Sequence, residues 1–155
     1  MDHIRDFFTN YLLACACFSW LLAQIIKLFT GVFTNEKLNL RKILFSSGGM
    51  PSSHSAAVCS LCTAAGIQCG TGSAEFAITM ILSIIVMMDA SGVRYETGKQ
   101  AKVINEIVKE LFSGRSDTVS TGLKELVGHT PFQVFMGALL GIAMGIGMGF
   151  LWGAI

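Results

Sequence analysis

Apolar residues run from Phe7 to Phe33, broken by Asn10, Gln24 and Lys27. About 20 residues cross the hydrocarbon core of a bilayer, so the pattern predicts a spanning helix over 7–33. The run is too long for the apolar region of a secretory signal and no small-residue cleavage site follows, so the segment is expected to be retained. A polar stretch, 34–50, carries Lys37, Arg41 and Lys42 and ends in Gly48-Gly49 before Pro51. Residues 53–70 form a less greasy second span, rich in Ala, Ser, Thr and Cys. Such small side chains let helices approach closely in lipid, which predicts a place inside the bundle. Gly70-Thr71-Gly72-Ser73 reads as a turn, and a third span follows over about 74–90, its apolar body being Phe76 to Met88. The fourth covers about 132–155, where Gly137, Gly141, Gly145 and Gly149 recur every four residues on one face. That stripe permits close helix contact, within the chain or between two copies in a homo-oligomer.

The segment 91–131 differs, holding roughly half of the acidic and basic side chains. Within it Val103, Ile104, Ile107, Val108, Leu111 and Phe112 fall on one helical face, with Lys102, Glu106, Lys109 and Glu110 on the other. An amphipathic helix is predicted, lying along the membrane surface or, as the preferred reading, capping the bundle. Four spans place the loops 34–50 and 91–131 on one side of the membrane and the uncharged 70–75 turn on the other. The positive-inside rule makes the first side cytoplasmic and both termini extracytoplasmic, with Arg5 alone opposing.

Composition sharpens the class. Of 155 residues, 52% are hydrophobic and only 14% charged, with a mean hydropathy of +0.62. Soluble domains carry about 25% charged residues, so this chain has too little polar surface for a water-facing globule. The expectation is an all-α integral membrane bundle forming one domain over 1–155. Lys and Arg number 11 against 10 Asp and Glu, a balance that argues against a nucleic-acid partner. Cys15, Cys17, Cys59, Cys62 and Cys69 lie mostly in apolar stretches and read as small buried hydrophobes. The Cys59-x-x-Cys62 pair has no second pair to complete a metal site.

Chemistry concentrates at two histidines. Gly48-Gly49-Met50-Pro51-Ser52-Ser53-His54-Ser55 and Gly128-His129-Thr130-Pro131 each precede a span. A proline and hydroxyl residues at a helix start leave backbone N–H groups facing outward at the positive end of the dipole, which makes an anion site and points to phosphate. The plainer alternative is that Pro51, Ser52 and Ser53 only cap a helix. Asp89-Ala90-Ser91-Gly92-Val93-Arg94 closes the third span. By this topology His54, Asp89, Arg94, Lys124 and His129 emerge at one membrane face.

These residues carry a resemblance. GGMPSSHSA at 48–56, MDASGVR at 88–94 with Gln100 and Asn105 downstream, and LKELVGHTPFQVFMGALLGI at 123–142 resemble the divergent branch of the type 2 phosphatidic acid phosphatase superfamily, also called acid phosphatase/vanadium-dependent haloperoxidase-related. The resemblance covers nearly the whole chain and implies a helical membrane bundle acting on a lipid phosphate without a cofactor, with vanadate as an inhibitor. By the parent superfamily's motifs His54 would protonate the leaving alkoxide and His129 would attack phosphorus. Ser52, Ser53, Arg94, Lys124, Arg41 and Lys27 are the phosphate-binding candidates. Three departures stand out. Gln133 occupies the place of the acid four residues after the nucleophile, Gly122-Leu123 replaces the preceding Ser-Arg, and the Lys and Arg-Pro motif is absent. Asp89 or Glu125 would have to supply the missing carboxylate, although Asp89 could merely pair with Arg94 and Glu125 merely be solvated. Neutral imidazole attack needs cations and helix starts for the developing charge and a proton for the alkoxide, and this residue set supplies them without a metal. Two readings follow: a lipid-phosphate phosphatase, or a non-catalytic membrane protein that binds or moves a phosphorylated lipid. A soluble-type haloperoxidase would not need four spans.

Overall fold

The computed structural model describes residues 9–33, 49–111, 122–123 and 128–155. Arg41, Lys124 and Glu125 lie outside them. The described elements are helices: α1 Tyr11–Phe33, α2 Ser53–Cys69, α3 Ala74–Ser91, α4 Val93–Leu111 and α5 Pro131–Trp152. Their starts follow from local chemistry. Ser52 caps α2 by accepting from the Ser55 N–H, and Ser73 caps α3 by accepting from the Phe76 N–H. Pro131 sits in the first turn of α5 behind a Thr130 cap.

Three helical stretches are long and apolar enough to cross a membrane: Tyr11–Thr30, Ala74–Leu111, whose apolar part is α3, and Pro131–Trp152. The second predicted span, α2, has 17 residues and owes its modest hydropathy to its position. It is the inner helix, packed on α1, α3 and α5, and its Ala56, Cys59, Cys62, Ala64 and Ala65 are buried. Protein rather than lipid surrounds it, so small side chains serve it better than large apolar ones.

Hydroxyls fasten the neighbours to one another. Ser19 of α1 donates to the Ala56 carbonyl at 3.0 Å, Ser60 of α2 to the Cys15 carbonyl at 3.0 Å, and Ser83 of α3 to the Val58 carbonyl at 2.9 Å. Each contributes on the order of 1 kcal/mol in lipid. The glycine stripe of α5 lies against α2. A Cβ on Gly137 or Gly141 would run into the backbone of Ser52 or Ala56, and one on Gly145 would stand 2.7 Å from the Thr63 Cβ. The stripe is thus covered inside the chain, and an association between copies would have to use another face.

These contacts fix the directions. Residues 137, 141 and 145 of α5 meet 52, 56 and 60–63 of α2 in rising order, so the two run parallel. Tyr11 OH donates to the Gly145 carbonyl while Lys27 reaches Ser53, so α1 runs against both. The end of α1, the start of α2, the end of α3 and the starts of α4 and α5 therefore gather at one end of the bundle.

The expected amphipathic helix exists as α4. Among the described helices it packs chiefly against α3, its start meets Gly128 and its Asn105 holds Leu123, so the described residues show it beside the end of α3 and not as a lid across the bundle; Val93, Val103, Ile104, Ile107 and Leu111 remain exposed.

Candidate functional site

The gathered end is held by backbone bonds between the motif segments. The His129 N–H donates to the Ala90 carbonyl at 2.9 Å, tying the start of α5 to the end of α3. The Ser52 N–H donates to the Gln133 carbonyl at 3.1 Å, tying α2 to α5. Thr30 Oγ1 donates to the Met50 carbonyl at 3.1 Å, tying the preceding loop to α1. Gly128 makes the approach to His129 possible. Its φ is +93°, and a Cβ there would stand 2.5 Å from the Tyr95 nitrogen, so both the backbone conformation and the space demand glycine.

His129 is 2% exposed. Its Nδ1 lies 3.2 Å from Gln133 Oε1, and the same oxygen accepts from the Thr130 N–H at 3.2 Å, while Thr130 Oγ1 accepts from the Gln133 N–H. This is a capping box, the Thr-x-x-Gln arrangement visible at 130–133. The box decides the tautomer. A backbone N–H must face the amide oxygen rather than the amide NH2, so Oε1 is the atom turned toward the ring. Nδ1 facing an acceptor carries the proton. Nε2 is then a bare lone pair, and it is buried with no hydrogen-bond partner among the described residues. Burial, followed by the charge of Lys27, pushes the imidazole down to about 4, with Gln133 opposing and His54 and Arg94 adding to the depression. His129 is neutral at pH 7.

Around this lone pair stand the other candidates. Lys27, in α1, is 6% exposed and donates from Nζ to Ser53 Oγ at 3.3 Å. His54 is exposed in the first turn of α2, close enough to Lys27, Arg94 and Asp89 for their charges to act on it. Arg94 Nε is paired with Asp89 Oδ2, both side chains partly open to solvent. The structure thus brings together Lys27, Ser52, Ser53, His54, Asp89, Arg94 and His129 from α1 to α4 and the segment that leads into α5.

Their postures differ from the sequence expectation in three respects. Asp89 gives its carboxylate to Arg94, and the Nδ1 of His129 goes to Gln133 instead. Ser52 is fully buried and occupied as the α2 cap, its Oγ accepting from the Ser55 hydroxyl at 2.9 Å as well. Ser53, 1% exposed, holds Lys27. The residue that sequence reasoning undervalued is Gln133, read as a missing acid. Its signal was the capping box in the same four letters.

The profile of the divergent PAP2 family matches residues 8–144. The chain is also similar to the uncharacterised membrane protein YuiD of Bacillus subtilis (strain 168), with 38% identity over 149 residues, 90% of this chain and 94% of that protein. No solved structure matches.

Proposed function

The chain belongs to the divergent PAP2 family, and we propose that it hydrolyses a phosphate monoester or pyrophosphate carried by a membrane lipid, with His129 as the nucleophile. The observation that carries this reading is the buried Nε2, without a hydrogen-bond partner among the described residues, of a neutral imidazole whose Nδ1–H is fixed by Gln133. A lone pair kept dry and aimed by its opposite nitrogen is what attack on phosphorus requires.

In the proposed sequence Nε2 attacks phosphorus in line, forming the N–P bond as the bond to the leaving oxygen breaks. Charge grows on the equatorial oxygens, where the Lys27 ammonium and Arg94 guanidinium supply compensation in a site partly shielded from water. The departing alkoxide, or phosphate of a pyrophosphate, takes a proton from the His54 imidazolium. Water then attacks phosphorus and gives its proton to the now neutral His54, the N–P bond breaks, and phosphate leaves with His129 restored. Only side chains take part in these steps. With the polar end of the bundle on the cytoplasmic side, the substrate headgroup would be drawn from the cytoplasmic leaflet.

The neutral amide at 133 favours a second reading, a non-catalytic binder of a phosphorylated lipid, because an amide orients the ring but does not stabilise it once charged. Phosphate release separates the two. The purified protein in lipid–detergent micelles is expected to release phosphate from phosphatidate, phosphatidylglycerol phosphate or a polyprenyl pyrophosphate in the presence of a chelator. Vanadate should block the release as a five-coordinate mimic, and His129→Ala should abolish it. Retained binding of these lipids with no vanadate-sensitive release from any of them would select the binder.

A further inference from the structure

Helix α4 leaves an apolar face uncovered. Val93, Val103, Ile107 and Leu111 are 69%, 53%, 49% and 74% exposed, and Ile104 lies among them. At 100° per residue these five fall within an arc of about 100°, which Glu96 and Gln100 also enter in the first half of the helix, while Lys102, Glu106 and Lys109 project from the opposite side. A 19-residue helix with such a stripe draws its stability from burying it, since isolated helices of that length are marginal in water. Among the described elements, none lies on the stripe.

Three observations identify the occupant. First, α4 begins two residues after α3 ends, with only Gly92 between them. A helix whose first residue follows directly on a bilayer span starts at the membrane boundary. Second, exposure is continuous across the join: Ile81, Ile85 and Met88 on α3 are exposed as Val93 is on α4, so the lipid-facing surface of the span runs on to the stripe. Third, a shallow, open depression with a mostly apolar lining borders Lys99, Gln100, Val103 and Ile104. The Lys99 ammonium at its edge is paired with Glu96 at 2.7 Å, so what the depression offers is room for lipid methylenes beside a solvated ion pair.

We propose that α4 is an interfacial helix, lying in the headgroup region of the bilayer with Val93, Val103, Ile104, Ile107 and Leu111 toward the acyl chains. The inference rests on the membrane fold and stands whether or not the chain is a phosphatase. It also sets the level of Arg94, the second residue of α4, at the headgroups.

Nitroxide scanning tests it on the full chain in phosphatidylcholine–phosphatidylglycerol vesicles. Cys17 and Cys69, the exposed thiols, are replaced by alanine, and Cys is introduced singly at Val103, Ile107, Leu111, Lys102, Glu106 or Lys109. Labels at 103, 107 and 111 should relax with oxygen in preference to a water-soluble nickel chelate, and labels at 102, 106 and 109 with the chelate. If all six positions respond to the chelate alone, the helix stands in water and the proposal is overturned. If 103, 107 and 111 are shielded from both reagents, the stripe is covered by protein, a second copy or the rest of this chain, and the proposal is overturned equally.

Discussion

Gln133 carries a sharp consequence because one oxygen serves two donors. Gln133→Leu keeps the side chain's bulk and removes the acceptor, leaving the Thr130 N–H and the His129 Nδ1–H without it. A buried donor deprived of its partner costs about 1–3 kcal/mol, so the variant should lose about 2–4 kcal/mol and release the ring from its tautomer. Gln133→Glu keeps the acceptor and adds a charge. A carboxylate within hydrogen-bond distance favours the imidazolium by about 1–3 pH units, or roughly 1.4–4 kcal/mol. His129, held down to about 4 in the native chain, should then titrate at about 5–7. Nitrogen-15 spectra of histidine-labelled protein read the titration and the tautomer directly. If the chain is a phosphatase, the acid limb of its pH–rate profile should move up by the same interval in the Glu variant. An unmoved titration in Gln133→Glu, or a Gln133→Leu protein with native stability and the Nδ1–H tautomer intact, would refute the role given to this amide.

Three further outcomes follow from the same geometry. His129 is charged more readily in the unfolded chain than in the native one, so its contribution to stability is complete above about pH 6.5 and is lost as the pH falls to about 4. The loss is on the order of 3 kcal/mol, and chemical denaturation across that window should show it in the native protein and not in His129→Asn. Gly141→Leu, whose Cβ would strike the Ala56 backbone, should destabilise the bundle by about 1–3 kcal/mol. Gly147→Ala, with open space around it, should not, and equal melting temperatures for the two in detergent would refute the packing. If the chain is a phosphatase, Lys27→Met should cut phosphate release by roughly 10- to 100-fold, the worth of a charge-assisted bond of about 1.5–3 kcal/mol. The same change should raise the His129 titration, since Lys27's charge helps hold it down; a ring that titrates unchanged would place Lys27 too far away to matter.

The all-helical membrane class, the inner position of α2 and the close-packed glycine stripe were legible in the chain because each rests on a repeating pattern: length, side-chain size and a four-residue period. The gathering of His54, Asp89, Arg94 and His129 was legible too, since alternate span ends must share a face. What the letters did not reveal depends on single atoms. Ser52 and Ser53 read equally well as anion ligands or as structural donors and acceptors, and only their burial and their bonds to Ser55 and Lys27 decide it. Comparison with a motif that has an acid at this position made Gln133 look like a loss, whereas the oxygen that aims the ring is present in either residue. Periodicity identified the apolar face of α4 correctly and could not tell what lies against it.

Charge gives the site its preference. Lys27 is buried at the end of a membrane helix and donates to the neutral Ser53 hydroxyl, while Arg94 is already offset by Asp89. With His129 neutral, this group carries a positive charge that no carboxylate among the described residues offsets, in a poorly solvated place, a costly arrangement unless it serves binding or catalysis. An anion would relieve it. A phosphate of charge −2 would more than offset the ammonium and would remove the part of the depression of His129 that comes from Lys27, leaving the part due to burial, so that the imidazole would be a stronger base once the phosphate arrives than while the site is empty. Nucleophilicity rises with basicity, and a neutral ring that gains basicity on binding its target does not need a permanent carboxylate beside it. On the proposed reading the amide at 133 fits that division of labour: it fixes the direction of the lone pair, and a bound phosphate would supply the negative charge.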